Sequence, residues 1–411
     1  MRDARVRSLV RYAAETVPHY RDLFEGAGID PAGIRTAEDL ERLPRVDRAR
    51  VGADPGRFVS TSDRGRDSIL FPTNGTTGTP LEIWHDRRSV LENIALGERE
   101  RVVEAGFAGK RLRYSVVDVN YGPRDTGFQV LRFYREATAI PFRPQRHILR
   151  IDDPFETVVE EVNRIRPDVL QGYGSYLEAF FERLADTGAR MHLPELVLYG
   201  SDTMSPAGRR FIEERFGVPV ISRYNAVEAF KVGFVCEERS GIHVEDDLCH
   251  LRVLDAQGEP AAPGELGEVV ISNLVNHGTV LINYRLGDLA AWSAEPCPCG
   301  RRTPLLSGVE GRLERTLHLP DGRFVPEGAI QVLLKDRGAL SFQLVQTAAE
   351  GYELKLVAPS PDEYERIVPD AVTGLRDLLG NGAQVRPSFH EALPPAPRGA
   401  FQYVVPLGGP P

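Results

Sequence analysis

The sequence predicts an α/β protein of two domains, and three observations carry that expectation. Between about 111 and 222, short apolar runs (Tyr114 to Val117, Val169 to Leu170, Leu196 to Tyr199, Val218 to Ile221) alternate with helical segments at 156–165, 176–187 and 206–216. That alternation is the pattern of a sheet covered by helices. From 242 to 292 the text turns strand-rich, with turns at Asp255-Ala256-Gln257-Gly258 and Pro263-Gly264, which predicts a β subdomain at about 242–310. After Gly311 the pattern changes again to a small α+β unit, so the domains are drawn at 1–311 and 312–411.

The remaining elements follow in chain order. Val6, Leu9, Val10, Ala13 and Val17 fall on one face of a helix that Pro18 closes. Thr36 caps a short helix whose first turn holds Glu38 and Asp39. Ser68 to Pro72 reads as a buried strand feeding a glycine- and threonine-rich turn, and 87–106 as a helix. In the second domain, a strand at Thr316 to Leu319 and the turn Pro320-Asp321-Gly322 precede a helix at 327–335, a strand pair around 341–358 and a helix at 362–379. Pro394-Pro395-Ala396-Pro397 reads as a rigid loop.

Composition removes several classes of function. Among 411 residues, 50 basic side chains face 59 acidic ones, a formal charge of −9 that argues against a protein built to coat nucleic acid or an anionic membrane. A hydrophobic fraction of 42% against 27% charged residues is enough for large cores and argues against disorder. No apolar run approaches the ~18 residues of a membrane helix. The start, Met1-Arg2-Asp3-Ala4-Arg5, leads into charged amphipathic text and not a signal core. The expectation is a cytoplasmic protein with neither nucleic acid nor membrane as partner. Four cysteines are too few for a disulfide scaffold.

The strongest local motif is Thr73-Asn74-Gly75-Thr76-Thr77-Gly78-Thr79-Pro80, directly after a strand. Gly75 and Gly78 free the backbone to curl, and the hydroxyls of Thr73, Thr76 and Thr77, with backbone N–H groups such as that of Asn74, can donate to phosphate oxygens. No Gly-Lys-Ser/Thr follows, so it is not a Walker loop.

This motif resembles the phosphate loop of the adenylate-forming (ANL) superfamily, which includes acyl-CoA synthetases. The similarity is greatest to the branch of the phenylacetate-CoA ligases and their capsular-polysaccharide relatives. Further stretches support it in the family's order: Val17-Pro18-His19-Tyr20-Arg21, Pro167-Asp168 through Gly172-Tyr173-Gly174-Ser175, Tyr199-Gly200-Ser201-Asp202, Tyr224-Asn225-Ala226-Val227-Glu228, Tyr284-Arg285-Leu286-Gly287-Asp288 and Gly311-Arg312. The resemblance implies a large N-terminal α/β domain with a β subdomain and a small C-terminal α+β lid, which rotates about a hinge that Glu314 would occupy.

It implies chemistry as well. A carboxylic acid would attack the α-phosphate of Mg·ATP, and a thiol such as CoA, or an amine, would capture the acyl-adenylate. The threonine loop would hold phosphates. Glu228 would bind Mg²⁺, Tyr224 would stack on adenine with Asn225 beside it, and Gly200, Ser201 and Asp202 would line the base and acyl pockets. Asp288 would accept from both ribose hydroxyls, supported by Arg312. Aromatic acids are the implied substrates, with Tyr114, Tyr121, Phe128, Tyr173 and Tyr176 as candidate pocket residues. A homodimer is the expected assembly, and His85 and His192 read as structural.

Cys236, His243, Cys297 and Cys299 form a Cys₃His set, with Cys249 or His250 as alternative fourth donors. The Cys-x-Cys pair in polar text suits a metal, and the phenylacetate ligase relatives carry a comparable pattern, which implies a closed structural Zn²⁺.

One position breaks the family pattern. The resemblance calls for a lysine in the last loop, to neutralise charge between the substrate carboxylate and the α-phosphate. In Pro397-Arg398-Gly399-Ala400-Phe401-Gln402-Tyr403 that place is Ala400, and the chain's lysines are Lys110, Lys231, Lys335 and Lys355. Arg398 or Lys231 could supply the cation. Alternatively Ala400 was engineered in place of a lysine, or adenylation has been lost and the chain couples an unusual acceptor or only binds a nucleotide.

Overall fold

A computed structural model describes residues 1–73, 80–110, 113–138, 145–380, 382–393 and 403–407, without the side chains of Arg124 and Glu314. The chain begins with two helices, Arg2–Thr16 and Pro18–Ala27. Pro18 ends the first and sits in the first turn of the second, where its missing N–H costs nothing. The Thr36 cap forms reciprocally: Asp39 N donates to Thr36 Oγ1 at 3.3 Å, and Thr36 N to Asp39 Oδ2 at 2.9 Å. Strands β1 (Ser68–Pro72) and β2 (Glu82–Asp86) pair as an antiparallel ribbon on either side of the threonine loop.

The body is one 11-stranded sheet. Its strands are β3 (Ser115–Asn120), β4 (Gln145–Arg150), β5 (Val169–Tyr173), β6 (Leu196–Gly200), β7 (Val220–Ala226), β8 (Phe230–Val235), β9 (Ile242–Val244), β10 (Cys249–Leu254), β11 (Gly267–Asn273), β12 (Tyr284–Trp292) and β13 (Leu305–Arg312). They lie in the order β10-β11-β12-β13-β9-β8-β7-β6-β5-β3-β4. Strands β3 to β7 pair in parallel, through helices Phe155–Ile165, Gly174–Thr187 and Pro206–Phe216, and from β7 onward pairing is antiparallel. The strand-rich stretch after 242, read from sequence as a β subdomain, is continuous with the α/β sheet through β8 and β9.

Three differences in element placement have local causes. The helix read at 87–106 is two, Arg87–Leu96 and Glu98–Phe107, broken at Gly97. A Cβ at Gly97 would lie 2.5 Å from Lys231 Cε, so the chain passes close to β8 there. Strand β4 and helix Thr126–Ala137 were not foreseen. Gln145–Arg150 carries Arg146 and Arg150 and forms the sheet's edge, where apolar alternation is not required.

Asn283 ties the N-terminal segment to this sheet. It is fully buried with φ of 52°, and its Nδ2 donates to the carbonyls of Leu40 at 2.6 Å and Leu43 at 2.9 Å. An amide side chain satisfies both carbonyls at once and tolerates the left-handed backbone.

Beyond Arg312 come β14 (Thr316–His318), β15 (Phe324–Pro326), helix Glu327–Lys335, β16 (Ser341–Ala348), β17 (Gly351–Val357), helix Pro361–Leu379, β18 (Gln384–His390) and β19 (Val404–Val405). Strands β16 to β19 form a separate four-stranded sheet around its own core, which includes Ile330, Phe342, Leu354, Ile367 and Leu375. The proline-rich stretch 394–397 and Ala400 lie outside the described residues. Among the described residues no helix is long and apolar enough to cross a membrane.

Candidate active site

A cavity of about 650 Å³ opens beside β5 to β8, β12 and the start of the threonine loop. Thr73, Gly200, Ser201, Asn225, Glu228, Asp288 and Arg312, all singled out from sequence, line it. Asn74, Gly75, Thr76, Thr77, Gly78 and Arg398 lie outside the described residues.

At one end, cross-strand pairing builds a carboxylate cradle. The register of β12 against β13 sets Asp288 opposite Arg312. Arg312 Nε lies 3.0 Å from Asp288 Oδ1, and Tyr224 Oη donates to Oδ2 at 2.8 Å. Both oxygens are thereby held in place at the cavity wall. Tyr224 is 7% exposed and backs the cavity behind Asp288; it does not line it. Burial pushes the Tyr224 phenol well up, so it stays a donor.

Glu228 follows β7 after a bulge at Tyr224 and Asn225, an irregularity that re-aims side chains beside a site. It is 7% exposed and accepts from Tyr284 Oη at 3.4 Å. Burial raises its carboxyl above the usual range, while Arg312 and Arg48 pull the other way. A buried carboxylate without a strong partner of its own is suited to a cation.

Arg48, not singled out from sequence, lines the same cavity, and its Nη1 and Nη2 each lie 3.4 Å from Thr73 Oγ1. Thr73 is locked to the far side of the loop: its N donates to Leu81 O and its Oγ1 accepts from Leu81 N, both at 2.9 Å. The loop therefore leaves and rejoins the ribbon at a fixed point with a guanidinium over it. Ser201, at the end of β6, holds φ of 70°, a conformation a non-glycine residue adopts at local cost and one found often at sites.

Asp202 does something other than line the pocket. It accepts from the backbone N–H of Gly174, and of Ser175 at 3.4 Å, and from the Ser175 hydroxyl, so it caps helix Gly174–Thr187. Asp202→Ala should cost about 1–2 kcal/mol of stability in denaturant unfolding and leave the KM for ATP within about threefold; a large KM effect alone would return Asp202 to the pocket. Of the five aromatic candidates, Tyr114 and Tyr173 line the cavity, with hydroxyls bonded to Glu104 and Asp125. Tyr121, Phe128 and Tyr176 do not.

A second cluster sits at β8, β9 and the loop between β12 and β13. One donor atom from each of Cys236, His243, Cys297 and Cys299 lies within 4.8 Å of the others. Cys236 Sγ and Cys297 Sγ are 3.5 Å apart, and Cys299 Sγ is 3.4 Å from His243 Nε2. His243 Nδ1 is held by Thr303 Oγ1 at 3.0 Å, which turns Nε2 toward the sulfurs. Sulfurs about 3.7 Å apart are what Zn–S bonds of ≈ 2.3 Å in a tetrahedron require, so the donor set fits that ion. Cys249 and His250 are not members of this group.

Comparison with known proteins agrees with this architecture. No protein-family model matches the chain. It is 26% identical over 347 residues to the phenylacetate-coenzyme A ligase of Thermus thermophilus, covering 81% of this chain and 74% of that one. It is 20% identical over 406 residues to the enzyme of that name from Aromatoleum evansii, covering 93% and 88%. A crystal structure of 2-hydroxyisobutyryl-CoA ligase in the postadenylation state, complexed with its acyl-AMP, superimposes with a TM-score of 0.74 at 19% identity, covering 98% and 88%. The fold is shared with that CoA ligase. In sequence the chain is similar to these phenylacetate-coenzyme A ligases.

Proposed function

We propose that the chain is an ATP-dependent acid–thiol ligase. A carboxylate oxygen attacks the α-phosphorus of ATP, pyrophosphate leaves, and a thiol such as that of CoA then attacks the acyl-AMP carbonyl, releasing AMP. The observation that carries this reading is the convergence of Glu228, the Asp288–Tyr224–Arg312 cradle and Thr73 with Arg48 on one cavity. In-line phosphoryl transfer depends on positioning and charge neutralisation, and these groups offer both without a protein nucleophile.

Asp288 receives the ribose hydroxyls, while Arg312 and Tyr224 hold it in place. Glu228 is the residue that would hold Mg²⁺, which when bound offsets phosphate charge. Arg48 reaches Thr73 at the start of the phosphate loop, whereas Lys231 is engaged by Glu100. This favours Arg48 over Lys231 as partial compensation for Ala400. The small C-terminal domain, joined through Leu313–Arg315, supplies a lid that turns between the two half-reactions. The test is pyrophosphate release from Mg·ATP across a panel of carboxylic acids, followed by thioester formation on adding CoA. ATP binding without acid-dependent pyrophosphate release would overturn it.

Ala400 favours a second reading, in which the nucleotide pocket serves an amine acceptor or binding alone. Amide formation from a supplied acyl-adenylate, with no thioester when CoA is present, would establish it.

Cys236, His243, Cys297 and Cys299 hold a structural Zn²⁺ in this account. The purified chain should carry about one zinc per chain by elemental analysis. Cys297→Ser should lower that content and reduce the unfolding temperature by several degrees. Full stability without metal would reject the site.

A further inference from the structure

Away from the ribose cradle, the cavity wall changes character. Glu100, Glu104, Asp118 and Asp125 line it together with Arg146, Arg223 and Lys231. Lys231 Nζ pairs with Glu100 Oε2, which also lies 3.3 Å from Arg223 Nε, and Arg223 Nη2 reaches Glu104. Arg146 Nη1 lies 2.7 Å from Asp118 Oδ2 and 3.1 Å from Gln171 Oε1. An apolar acid filling this space would strip remaining water from these polar groups and return no hydrogen bond.

The layer is not symmetric toward a ligand. The side chains of Glu100, Glu104 and Asp118 are 3%, 2% and 9% exposed, whereas those of Arg146, Arg223 and Lys231 are 13%, 16% and 19% exposed. The carboxylates stand behind and the cations in front. Arg146 Nε and Nη2 and further protons of the Lys231 ammonium have no protein partner among the described residues. Glu100 Oε1 has no partner and is sealed from solvent, and Asp118 Oδ1, on a side chain 9% exposed, is the other carboxylate oxygen of the wall without one among the described residues. What the wall offers an occupant is N–H donors already held in place by buried carboxylates.

On the ligase reading above, we infer that the acid activated here carries a second, oxygen-bearing, hydrogen-bond-accepting group (hydroxyl, carbonyl or second carboxylate) at the end remote from the carboxylate that is adenylated, where Arg146, Arg223 and Lys231 receive it. A site that hydrogen-bonds such a group rejects the analogue lacking it far more strongly than an apolar pocket rejects an extra methylene.

The test uses the full chain with phenylacetate and its para-methyl, para-hydroxy and para-carboxy derivatives, and with hexanoate against adipate. Pyrophosphate release gives kcat/KM, and calorimetry gives binding whether or not adenylation occurs. The oxygenated acids should exceed their unsubstituted and methyl counterparts by about 30-fold or more in kcat/KM and about tenfold or more in affinity. Lys231→Met should narrow the gap to below about threefold; if that variant does not fold, the acid series on the unaltered chain decides alone. Unsubstituted and methyl acids that match or exceed the oxygenated ones in both readouts overturn the inference, and pyrophosphate release then leaves the ligase reading standing. Preferential binding of oxygenated acids with no pyrophosphate release supports the inference and overturns the ligase reading. No binding of any acid overturns the inference.

Discussion

Ala400→Lys is expected to raise the rate of acid-dependent pyrophosphate release by about a hundredfold, some 2.7 kcal/mol of barrier. Negative charge accumulates as the carboxylate closes on the α-phosphate, and a fixed ammonium there acts on the transition state more than on the ground state. Position 400 lies outside the described residues, so its place follows from the resemblance of Pro397 to Tyr403 to the family's last loop. The gain should appear in kcat with little change in the KM for ATP, because the added ammonium acts on the transition state more than on the bound nucleotide. If the rate is unchanged, another cation already fills the role. Arg48 is then the first to replace, since both of its terminal nitrogens reach Thr73 at the root of the phosphate loop.

Glu228→Gln is expected to lower kcat/KM for Mg·ATP by about 10²- to 10³-fold. Glutamine keeps the shape and the hydrogen bond from Tyr284 but removes the charge that would hold the cation. At 7% exposure the carboxylate has little solvation to lose, so its charge acts through a poorly screened environment. The variant should fold normally, because neutralising a buried carboxylate that burial already drives toward its protonated form relieves a cost. A fall of less than about threefold, with unchanged dependence on Mg²⁺ concentration, would remove Glu228 from the cation site.

Much of the fold was legible because its signals are local. The helix at 206–216 sits between Ser205, whose Oγ accepts from Gly208 N, and Gly217 in the left-handed region, so both ends are written in sequence. The strand β18 was not, because Gln384–His390 contains Pro387 and has little apolar alternation. Glu228 and Asp288 were singled out because each ends a short motif, Tyr224 to Glu228 and Tyr284 to Asp288, that resembles the family's. The charged wall could not be read. Glu100, Asp118, Arg146, Arg223 and Lys231 come from five different elements, and each in sequence looks like a solvated charge. Arg48 escaped for the same reason, since only the tertiary fold, which sets Arg48–Ala53 against β12, brings it to a threonine 25 positions away. Asp202 misled because it follows β6 directly, yet its side chain turns back to the neighbouring helix.

The most direct measurement is mass-spectrometric detection of the acyl-adenylate formed by the purified chain from Mg·ATP and an oxygen-substituted acid. The account predicts acyl-AMP with stoichiometric pyrophosphate, consumed to thioester and AMP when CoA is added. Formation of ADP and phosphate, or nucleotide bound with no acyl-AMP from any acid in the panel, would contradict it.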